Sequence, residues 1–299
     1  MSQRLICDYE GSAYRTQFWG QGREYEDAVE RVAMGALLPP TGRRLIEIGA
    51  GFGRLVDLYR GYEQVVLLDY ARSQLLQARE RLGNSGPQGQ PRYLYVRGDF
   101  YHLPFASGLF DTVAMVRTLH HAVDAPAVLK GAGRILAPAG AFVLEFANKR
   151  NLKAILRYLL RGQSWSPFDL EPVEFVKLNF DFHPAWIRHH LAAAGLRVER
   201  VRALSFFRLE FLKRTVPTGV LVMLDRLLQP TGALCQLTPS VFLRAAAAAD
   251  KPPAPSGAFF RCTACNSTTL VDEADELTCG DCGTGFPVQD GIYDFVVEE

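Results

Sequence analysis

A glycine-rich turn after a short apolar run is the feature that most constrains the fold of this chain. Residues 44–55 read Arg-Leu-Ile-Glu-Ile-Gly-Ala-Gly-Phe-Gly-Arg-Leu, with glycine at three alternate positions. Glycine lets the backbone turn sharply and leaves room for a ligand to lie against it. A helix after the turn would direct its first N–H groups to the same place. The stretch predicts the first strand–turn–helix unit of an α/β fold, which holds either a small molecule or nothing.

The spacing of these glycines bears on which ligand the turn would hold. A dinucleotide fingerprint is Gly-x-Gly-x-x-Gly, whereas Arg54 occupies the place of its third glycine here. One acid, Glu47, precedes the turn, and another, Asp69, ends the next apolar run 20 residues after Gly49. A carboxylate at that distance accepts the hydroxyls of a ribose in related folds. The pattern therefore argues against a dinucleotide but remains consistent with another ligand that contains a ribose.

Short apolar runs alternate with helical patterns over the first 246 residues. The predicted strands are 44–48, 65–69, 93–97, 110–116, 140–146, 196–207 and 240–245. The predicted helices are 28–38, 54–62, 71–82, 126–136, 182–195 and 220–228. Runs that are apolar throughout indicate parallel strands buried on both faces. The order of elements predicts an α/β fold with a doubly wound sheet.

Three later stretches, together with the turn, resemble the motifs of class I S-adenosylmethionine (SAM) methyltransferases of the ubiquinone/menaquinone-biosynthesis-like (type 11) subgroup. They are Gly-Asp-Phe-Tyr-His-Leu-Pro-Phe at 98–105, the run 110–116 with Leu-His-His at 119–121, and Arg-Ile-Leu-Ala-Pro-Ala-Gly at 134–140. The last departs from the family pattern, since alanines replace one lysine and one glycine. The resemblance covers residues 42–146. It implies a seven-stranded, Rossmann-like methyltransferase sheet with an antiparallel last strand.

The same resemblance implies a SAM site at the turn and at the ends of the next two strands. The glycines would carry the methionine portion, Asp69 would accept from the ribose hydroxyls, and Asp99 would accept from the adenine amino group. The implied cofactor-binding residues are Glu47, Gly49, Ala50, Gly51, Gly53, Asp69, Tyr70, Asp99, Phe100 and Arg117. An amino-terminal segment lies over the cofactor in many such enzymes and would add Tyr14 and Arg23, although its aromatic residues also suit core packing.

Two histidines, His120 and His121, follow the fourth predicted strand. A base near the transferred methyl group would suit an oxygen, nitrogen or activated carbon nucleophile, and these two are the candidate catalytic residues. Much of the rate of an in-line methyl transfer comes from holding donor and acceptor in line. A positioning role for the pair is therefore the alternative to catalysis.

Residues 147–185 form the part of the body that varies among such enzymes, an insertion expected to cap the substrate cavity. Its helical stretch 152–160 carries Lys153, Arg157 and Arg161 along one side. A cationic helix could face an acidic substrate, a nucleic acid or a membrane surface. The alternative is an ordinary polar face in contact with water. The methyl acceptor is not identified by this segment.

Four cysteines near the carboxyl terminus form two Cys-x-x-Cys pairs: Cys262, Cys265, Cys279 and Cys282. Two such pairs can present four thiolates tetrahedrally to one Zn²⁺, and four thiolates leave no open position, so the predicted zinc is structural. An alanine- and proline-rich linker, 247–257, precedes them. The predicted domains are thus a methyltransferase domain over 1–246 and a small β zinc ribbon over 258–299. A redox pair and an iron–sulfur site remain the alternatives.

The segment 284–295 resembles the ending of the Trm112-like zinc ribbons, which bind and activate methyltransferases. The ribbon is acidic: from Phe259 onward there are nine acids and one base, a charge of −8, which leaves +9 for the remainder of a chain whose net charge is +1. We expect the ribbon to pack on its own methyltransferase body or on a protein partner. Nucleic acid remains open as a partner of the basic body.

The chain reads as a globular cytoplasmic protein, with 48% hydrophobic and 22% charged residues. No apolar run reaches the roughly 18 residues of a membrane span, and the start of the chain lacks an apolar signal segment. The predicted function is methyl transfer from SAM to an unidentified, small-molecule acceptor. The alternatives are an RNA or translation-factor methyltransferase with a fused activating ribbon, and a non-catalytic assembly partner with this fold.

Overall fold

The computed structural model describes residues 7–11, 22–83, 91–273 and 275–296. Its strands are β1 (Gly42–Ile48), β2 (Tyr62–Asp69), β3 (Tyr93–Arg97), β4 (Phe110–Met115), β5 (Leu136–Ala147), β6 (Val173–Val176), β7 (Asn179–Asp181), β8 (Leu196–Leu204), β9 (Ser240–Ala247), β10 (Leu270–Asp272), β11 (Glu276–Cys279), β12 (Gly285–Gln289) and β13 (Ile292–Asp294). Its helices are α1 (Glu24–Leu37), α2 (Arg72–Leu82), α3 (Ala125–Ile135), α4 (Leu152–Leu159), α5 (Pro184–Ala193), α6 (Glu210–Thr215) and α7 (Thr218–Leu228). Tyr14 lies outside the described residues.

The main sheet of the described chain has eleven strands in the order β10-β11-β12-β13-β3-β2-β1-β4-β5-β9-β8. Strands β3, β2, β1, β4 and β5 run parallel, and β9 lies antiparallel between β5 and β8. These seven strands belong to residues 22–247, which we call the body. The predicted doubly wound, seven-stranded, Rossmann-like sheet with an antiparallel last strand is confirmed. The four remaining strands extend it at the β3 edge.

The core of the body has two layers because both faces of the parallel strands are covered. Ile46 and Ile48 of β1 belong to a buried cluster with residues of α3 and α5. Leu45, on the opposite face of the same strand, belongs to a second cluster with residues of α1 and α2. Successive side chains of β1 thus point into both layers, which explains why Leu45, Ile46 and Ile48 are all apolar.

The predicted helix over 54–62 is wrong. Only a short 3₁₀ helix, Val56–Tyr59, follows the glycine turn. The reason is length: β2 begins at Tyr62, three residues before the predicted start, so too few residues remain for an α-helix. The Tyr59 side chain is completely buried, which fixes this connection against the core.

Strands β10–β13 lie in residues 258–296, which we call the ribbon. They form an antiparallel meander, and β13 then pairs in parallel with β3 through Ile292 with Tyr95, Tyr293 with Val96 and Asp294 with Arg97. The ribbon is therefore continuous with the central sheet. It covers the edge of β3, which would otherwise expose unpaired backbone groups.

Side chains reinforce this junction. Phe260 of the ribbon stacks on Phe105 of the body with ring centroids 5.9 Å apart, and it also contacts Phe295 at 5.2 Å. The Arg97 guanidinium pairs with the Asp294 carboxylate at 2.9 Å. Phe260 and Phe295 are buried in the same cluster as Phe105, so ribbon and body share one hydrophobic core.

The segment 247–257, predicted as a linker, packs along the body. The Lys251 ammonium donates to the carbonyl oxygens of Gly133 and Leu136, each at 2.5 Å, and so caps the end of α3. The Ala254 N–H donates to the Gly108 carbonyl at 3.0 Å. The path of the chain from body to ribbon is thus fixed by specific contacts.

No helix in the described part of the chain has the length and apolar character needed to cross a membrane.

Candidate functional site

A cavity of about 190 Å³ lies at the carboxyl ends of the parallel strands, where open α/β sheets bind their ligands. Gly49 follows β1, Asp69 ends β2, Gly98 follows β3 and Val116 follows β4, and all four line the cavity. The other lining residues are Cys7, Tyr9, Gly51, Leu68, Tyr70, Gln74, Phe100, Arg117, Thr118, His120, His121 and Asn179.

The glycine turn is shaped for close approach. Gly49, Gly51 and Gly53 have φ angles of 73°, 53° and 72°, a region that side chains disfavour. A Cβ at Gly49 would lie 2.1 Å from the Thr118 hydroxyl oxygen. That hydroxyl is itself held by the Ile48 carbonyl, at 3.2 Å, so the space beside Gly49 is fixed. Glycine is therefore required at position 49 for two independent reasons.

Asp69 holds the turn and faces the cavity. Its Oδ2 accepts the Gly51 N–H at 2.7 Å, and its Oδ1 accepts the Ala71 N–H at 3.0 Å. Each carboxylate oxygen can accept a second hydrogen bond, so both can still receive hydroxyl donors from a ligand. Burial raises the pKa of Asp69 to about 6, against the effect of these N–H donors. The placement suits the predicted contact with a ribose diol.

Glu47 supplies a buried carboxylate whose hydrogen bonding is incomplete. Its side chain is 3% exposed, and no described residue gives its Oε2 a hydrogen bond. A second, small cavity of about 30 Å³ beside it is lined by Gly49, Ala50, Arg54 and Arg117, among others. Burial raises the pKa of Glu47 to about 7. An unsatisfied buried carboxylate beside a glycine cradle fits the cationic amino-acid end of SAM.

We expect Glu47→Gln to stabilise the ligand-free protein at pH 8 by about 1–3 kcal/mol and to weaken SAM binding. Between pH 4.5 and 7 the folded chain keeps a proton on Glu47 that the unfolded chain has lost. Stability therefore falls as pH rises through this window, and the glutamine variant lacks this loss. Denaturant unfolding at pH 4.5 and 8 measures the difference. Glu63→Gln, at an exposed carboxylate of β2, is the control and should change neither property.

A buried ion network that the sequence did not reveal connects α1 to Arg54 of the glycine turn and to Arg117 on the cavity wall. Glu30 of α1 is completely buried; its Oε2 lies 2.7 Å from Arg54, and its Oε1 accepts from Arg117 Nε at 2.7 Å. Glu145 accepts the Arg117 N–H at 2.9 Å and the Ser240 hydroxyl at 2.7 Å. The one sequence feature that could have indicated this network is the position of Glu30 on the apolar side of α1, because a buried carboxylate needs a charged partner.

The two histidines lie on the cavity wall, with their ring centroids 3.9 Å apart. His121 Nδ1 lies 3.0 Å from the Leu178 carbonyl, and its Nε2 lies 3.1 Å from the Tyr9 hydroxyl. A carbonyl can only accept, so Nδ1 carries the proton and Nε2 of the neutral ring accepts from Tyr9. Burial lowers the pKa of both His120 and His121, and both are neutral near pH 7.

The cap insertion reaches the cavity through the β6–β7 hairpin. Asn179 lines the cavity, and the carbonyl of Leu178 holds His121. Lys149 is 3% exposed and donates to the carbonyl oxygens of Asp169 and Glu171 at 3.0 and 2.6 Å. Because Lys149 fixes the loop before the hairpin, the wall that the cap contributes has a defined position.

Glu47 and Ala50 line only the smaller cavity, and three other predicted cofactor residues among those described line neither of the two. Asp99 is absent from the cavity lining; its carboxylate turns back to accept the Tyr101 N–H at 2.8 Å and pairs with His102 at 2.7 Å. Arg23 lies at the start of α1 and lines a separate surface pocket with Glu26 and Lys213. Gly53 shapes the turn without lining the cavity, and its carbonyl accepts from Arg81. Tyr70, Phe100 and Arg117 do line the cavity.

The four ribbon cysteines come together in space, with their sulfur atoms within 4.8 Å of one another. The sulfur–sulfur distance is 3.7 Å between Cys262 and Cys282 and 3.6 Å between Cys265 and Cys279. A tetrahedron of thiolates with zinc–sulfur bonds of about 2.3 Å has edges of about 3.8 Å, whereas a disulfide needs about 2.05 Å. The cysteines therefore fit a four-thiolate zinc site.

The fold and the glycine turn define a Rossmann-like, SAM-dependent methyltransferase domain. Residues 46–144 match the family model Methyltransf_11, which describes a methyltransferase domain. The chain is similar to the ubiquinone/menaquinone biosynthesis C-methyltransferase UbiE of Haemophilus ducreyi, 32% identical over 111 residues, which are 36% of this chain and 42% of that protein. The chain is also 34% identical to UbiE of Pseudomonas syringae pv. tomato over 116 residues, which cover 37% of this chain and 44% of that protein. The similarity thus spans less than half of these curated relatives.

Solved structures agree on the fold. The complex of the Haloferax volcanii Trm112 methyltransferase activator with a methyltransferase gives a TM-score of 0.54 at 17% identity, covering 79% of this chain and 96% of that chain. A SAM-dependent methyltransferase from Thermotoga maritima also gives 0.54, at 19% identity, covering 80% and 97%.

Proposed function

We propose that this protein transfers the methyl group of SAM to a small-molecule acceptor. The observation that carries the proposal is the joint placement of the Gly49 turn, the Asp69 carboxylate and the histidine pair on one cavity of a methyltransferase domain. The similarity to UbiE enzymes, which are C-methyltransferases of quinone biosynthesis, supports a small acceptor. When bound, SAM supplies an electrophilic methyl group on a sulfonium centre.

The residues of the site divide into those that hold the cofactor and those that face the acceptor. Asp69 would accept from the ribose hydroxyls of SAM, and Glu47 would meet its ammonium group. Phe100 and Tyr70 border the adenosine end. His120, neutral and on the cavity wall, can accept a proton from the acceptor at a ring nitrogen, while His121, held at both ring nitrogens, positions its neighbour.

We expect Asp69→Ala to weaken SAM binding by about 10- to 100-fold, because it removes a charged acceptor of two hydrogen bonds and releases the turn. Isothermal titration calorimetry with zinc-loaded protein measures the effect. Asp57→Ala, at a half-exposed carboxylate that pairs with Arg31 outside the cavity, is the control and should bind SAM normally. Unchanged affinity in Asp69→Ala would show that the ribose contact is misassigned. Absence of SAM binding by the unmodified protein would favour the non-catalytic assembly partner.

The ribbon motivates the alternative acceptor, an RNA or a translation factor. The Haloferax structure pairs a methyltransferase with a Trm112 activator, and here the ribbon follows the body in the same chain. The supporting contact is the pairing of β13 with β3. The acidity of the ribbon disfavours it as the surface that binds nucleic acid. Transfer of labelled methyl from SAM to fractionated small-molecule, RNA and protein pools distinguishes the acceptors.

A further inference from the structure

The outer face of α4 is apolar but uncovered. In the described chain the only buried residue of this helix is Ala154. Leu152, Leu156, Leu159 and Leu160 are 52%, 49%, 65% and 80% exposed. Residues at spacings of four and seven or eight lie on one side of a helix. Three leucines of α4 and a fourth at its C-cap are thus exposed to solvent, and an exposed apolar patch of this kind indicates a binding surface.

The same apolar surface continues onto a neighbouring segment. The Leu152 N–H donates to the Leu237 carbonyl at 2.8 Å, which places the start of α4 against the segment between α7 and β9. That segment contributes Leu234, 92% exposed, and Leu237, 37% exposed. The six exposed leucines of α4 and of this segment form what we call the leucine face: Leu152, Leu156, Leu159, Leu160, Leu234 and Leu237.

Positive charge accompanies the leucine face. Residues 150–161 contain four bases and no acid, and the next acid along the chain is Asp169. Lys153, Arg157 and Arg161 recur every four residues, one position after three of the leucines. Lysine and arginine beside an apolar helix face are the pattern of helices that lie in the interface of anionic membranes.

A second copy of this chain, another protein or a nucleic acid would fit the leucine face less well than a membrane. In a two-fold dimer through the leucine face, the basic rows of both copies would approach each other, and like charges disfavour that contact. Protein interfaces are depleted in lysine, and nucleic acid would leave the leucines in water. With eight residues, α4 is about 12 Å long, far short of a bilayer core, so it can lie on a membrane but cannot cross it.

We propose that this protein binds peripherally to anionic lipid bilayers through the leucine face, with α4 lying in the headgroup region. The cap carries further exposed apolar side chains on β6, where Phe175 and Val176 are 54% and 58% exposed. In the same hairpin, Leu178 contacts His121 and Asn179 lines the cavity. The proposal stands independently of which acceptor is methylated.

The test is co-sedimentation of the full chain with vesicles of phosphatidylcholine alone and of equal parts phosphatidylcholine and phosphatidylglycerol. We expect binding to the anionic vesicles that falls with added salt. Leu156→Glu/Leu159→Glu should reduce it by about tenfold or more, because two anchoring side chains become charged and repelled. Val271→Glu, at a ribbon residue that is 53% exposed, is the matched control and should bind as the unmodified protein does.

Two further measurements test whether the double variant is folded and whether the basic residues contribute to vesicle binding. SAM affinity and the unfolding temperature of the double variant should match those of Val271→Glu, since all three substituted residues are exposed. The triple variant Lys153→Gln/Arg157→Gln/Arg161→Gln should lose the preference for anionic vesicles. The proposal is overturned if the unmodified protein stays in the supernatant with anionic vesicles. It is also overturned if both glutamate variants bind equally well, or if the leucine substitutions only convert a dimer into a monomer.

Discussion

Replacing Gly49 with alanine is expected to abolish detectable SAM binding while leaving the protein folded. The backbone at this position has φ 73°, which costs alanine about 1–2 kcal/mol. The new Cβ would also lie 2.1 Å from the Thr118 hydroxyl oxygen and 2.6 Å from its Cγ2. The Thr118 hydroxyl donates towards the Ile48 and Val116 carbonyls and cannot swing away freely. The turn must therefore move, and with it the N–H groups and the space that the cofactor occupies.

Gly51→Ala is the matched control for this experiment. Gly51 shares the left-handed conformation, with φ 53°, but the nearest atom to its hypothetical Cβ is Gln74 Oε1 at 4.0 Å. Alanine at position 51 therefore has the conformational cost of a positive φ, but its Cβ does not collide with another residue. Calorimetry should show a clearly smaller loss of affinity for Gly51→Ala than for Gly49→Ala. Equal losses would mean that Thr118 yields and that only the conformation of the turn matters.

Much of the fold was predictable because its determinants are local. The apolar runs of β1 and β2, the glycines that follow β1 and the acid that ends β2 each depend on neighbouring residues. Helix α5 begins at Pro184 and ends before Gly195, as these residues predict. The error after the turn arose because the sequence does not mark how early β2 begins.

The rest of the site could not be predicted because it depends on contacts between distant residues. Glu30 reaches Arg117 across 87 positions. His121 is held by Leu178 from the cap, 57 positions away. Asp99 has the family motif around it, yet its carboxylate bonds to its own turn at Tyr101. A motif specifies which residue types are present, whereas the direction of a side chain follows from its tertiary partners.

The pairing of β13 with β3 could not be predicted from the sequence either. A strand of three residues is too short for its pattern to identify a partner strand nearly 200 positions away. No short turn connects the two strands, so there is no turn sequence that would predict their parallel pairing. Its consequence is mechanical. The residues after β3, Gly98 and Phe100, line the cavity that we propose as the SAM site. The ribbon therefore supports one wall of the site from the far side of the strand that carries it.

The second large effect is expected from Cys279→Ser, which removes a buried thiol of the predicted zinc site. Metal analysis should fall from about one zinc per chain to nearly none, because three thiolates bind zinc far less tightly than four. The unfolding temperature should fall by about 10 °C or more, since a ribbon of this size depends on its metal. Loss of the ribbon would also expose Phe105 and release the β3 edge, so SAM affinity should drop several-fold.

Cys235→Ser is the control, since this cysteine is exposed and lies outside the cluster. It should retain zinc, thermal stability and SAM binding. A strong chelator applied to the unmodified protein should reproduce the effects of Cys279→Ser, and added zinc should reverse them. If the zinc is lost while the unfolding temperature and SAM affinity stay unchanged, the β13–β3 pairing contributes nothing to the body. If instead both fall together, the sheet transmits the state of the metal site to the cofactor cavity through β3.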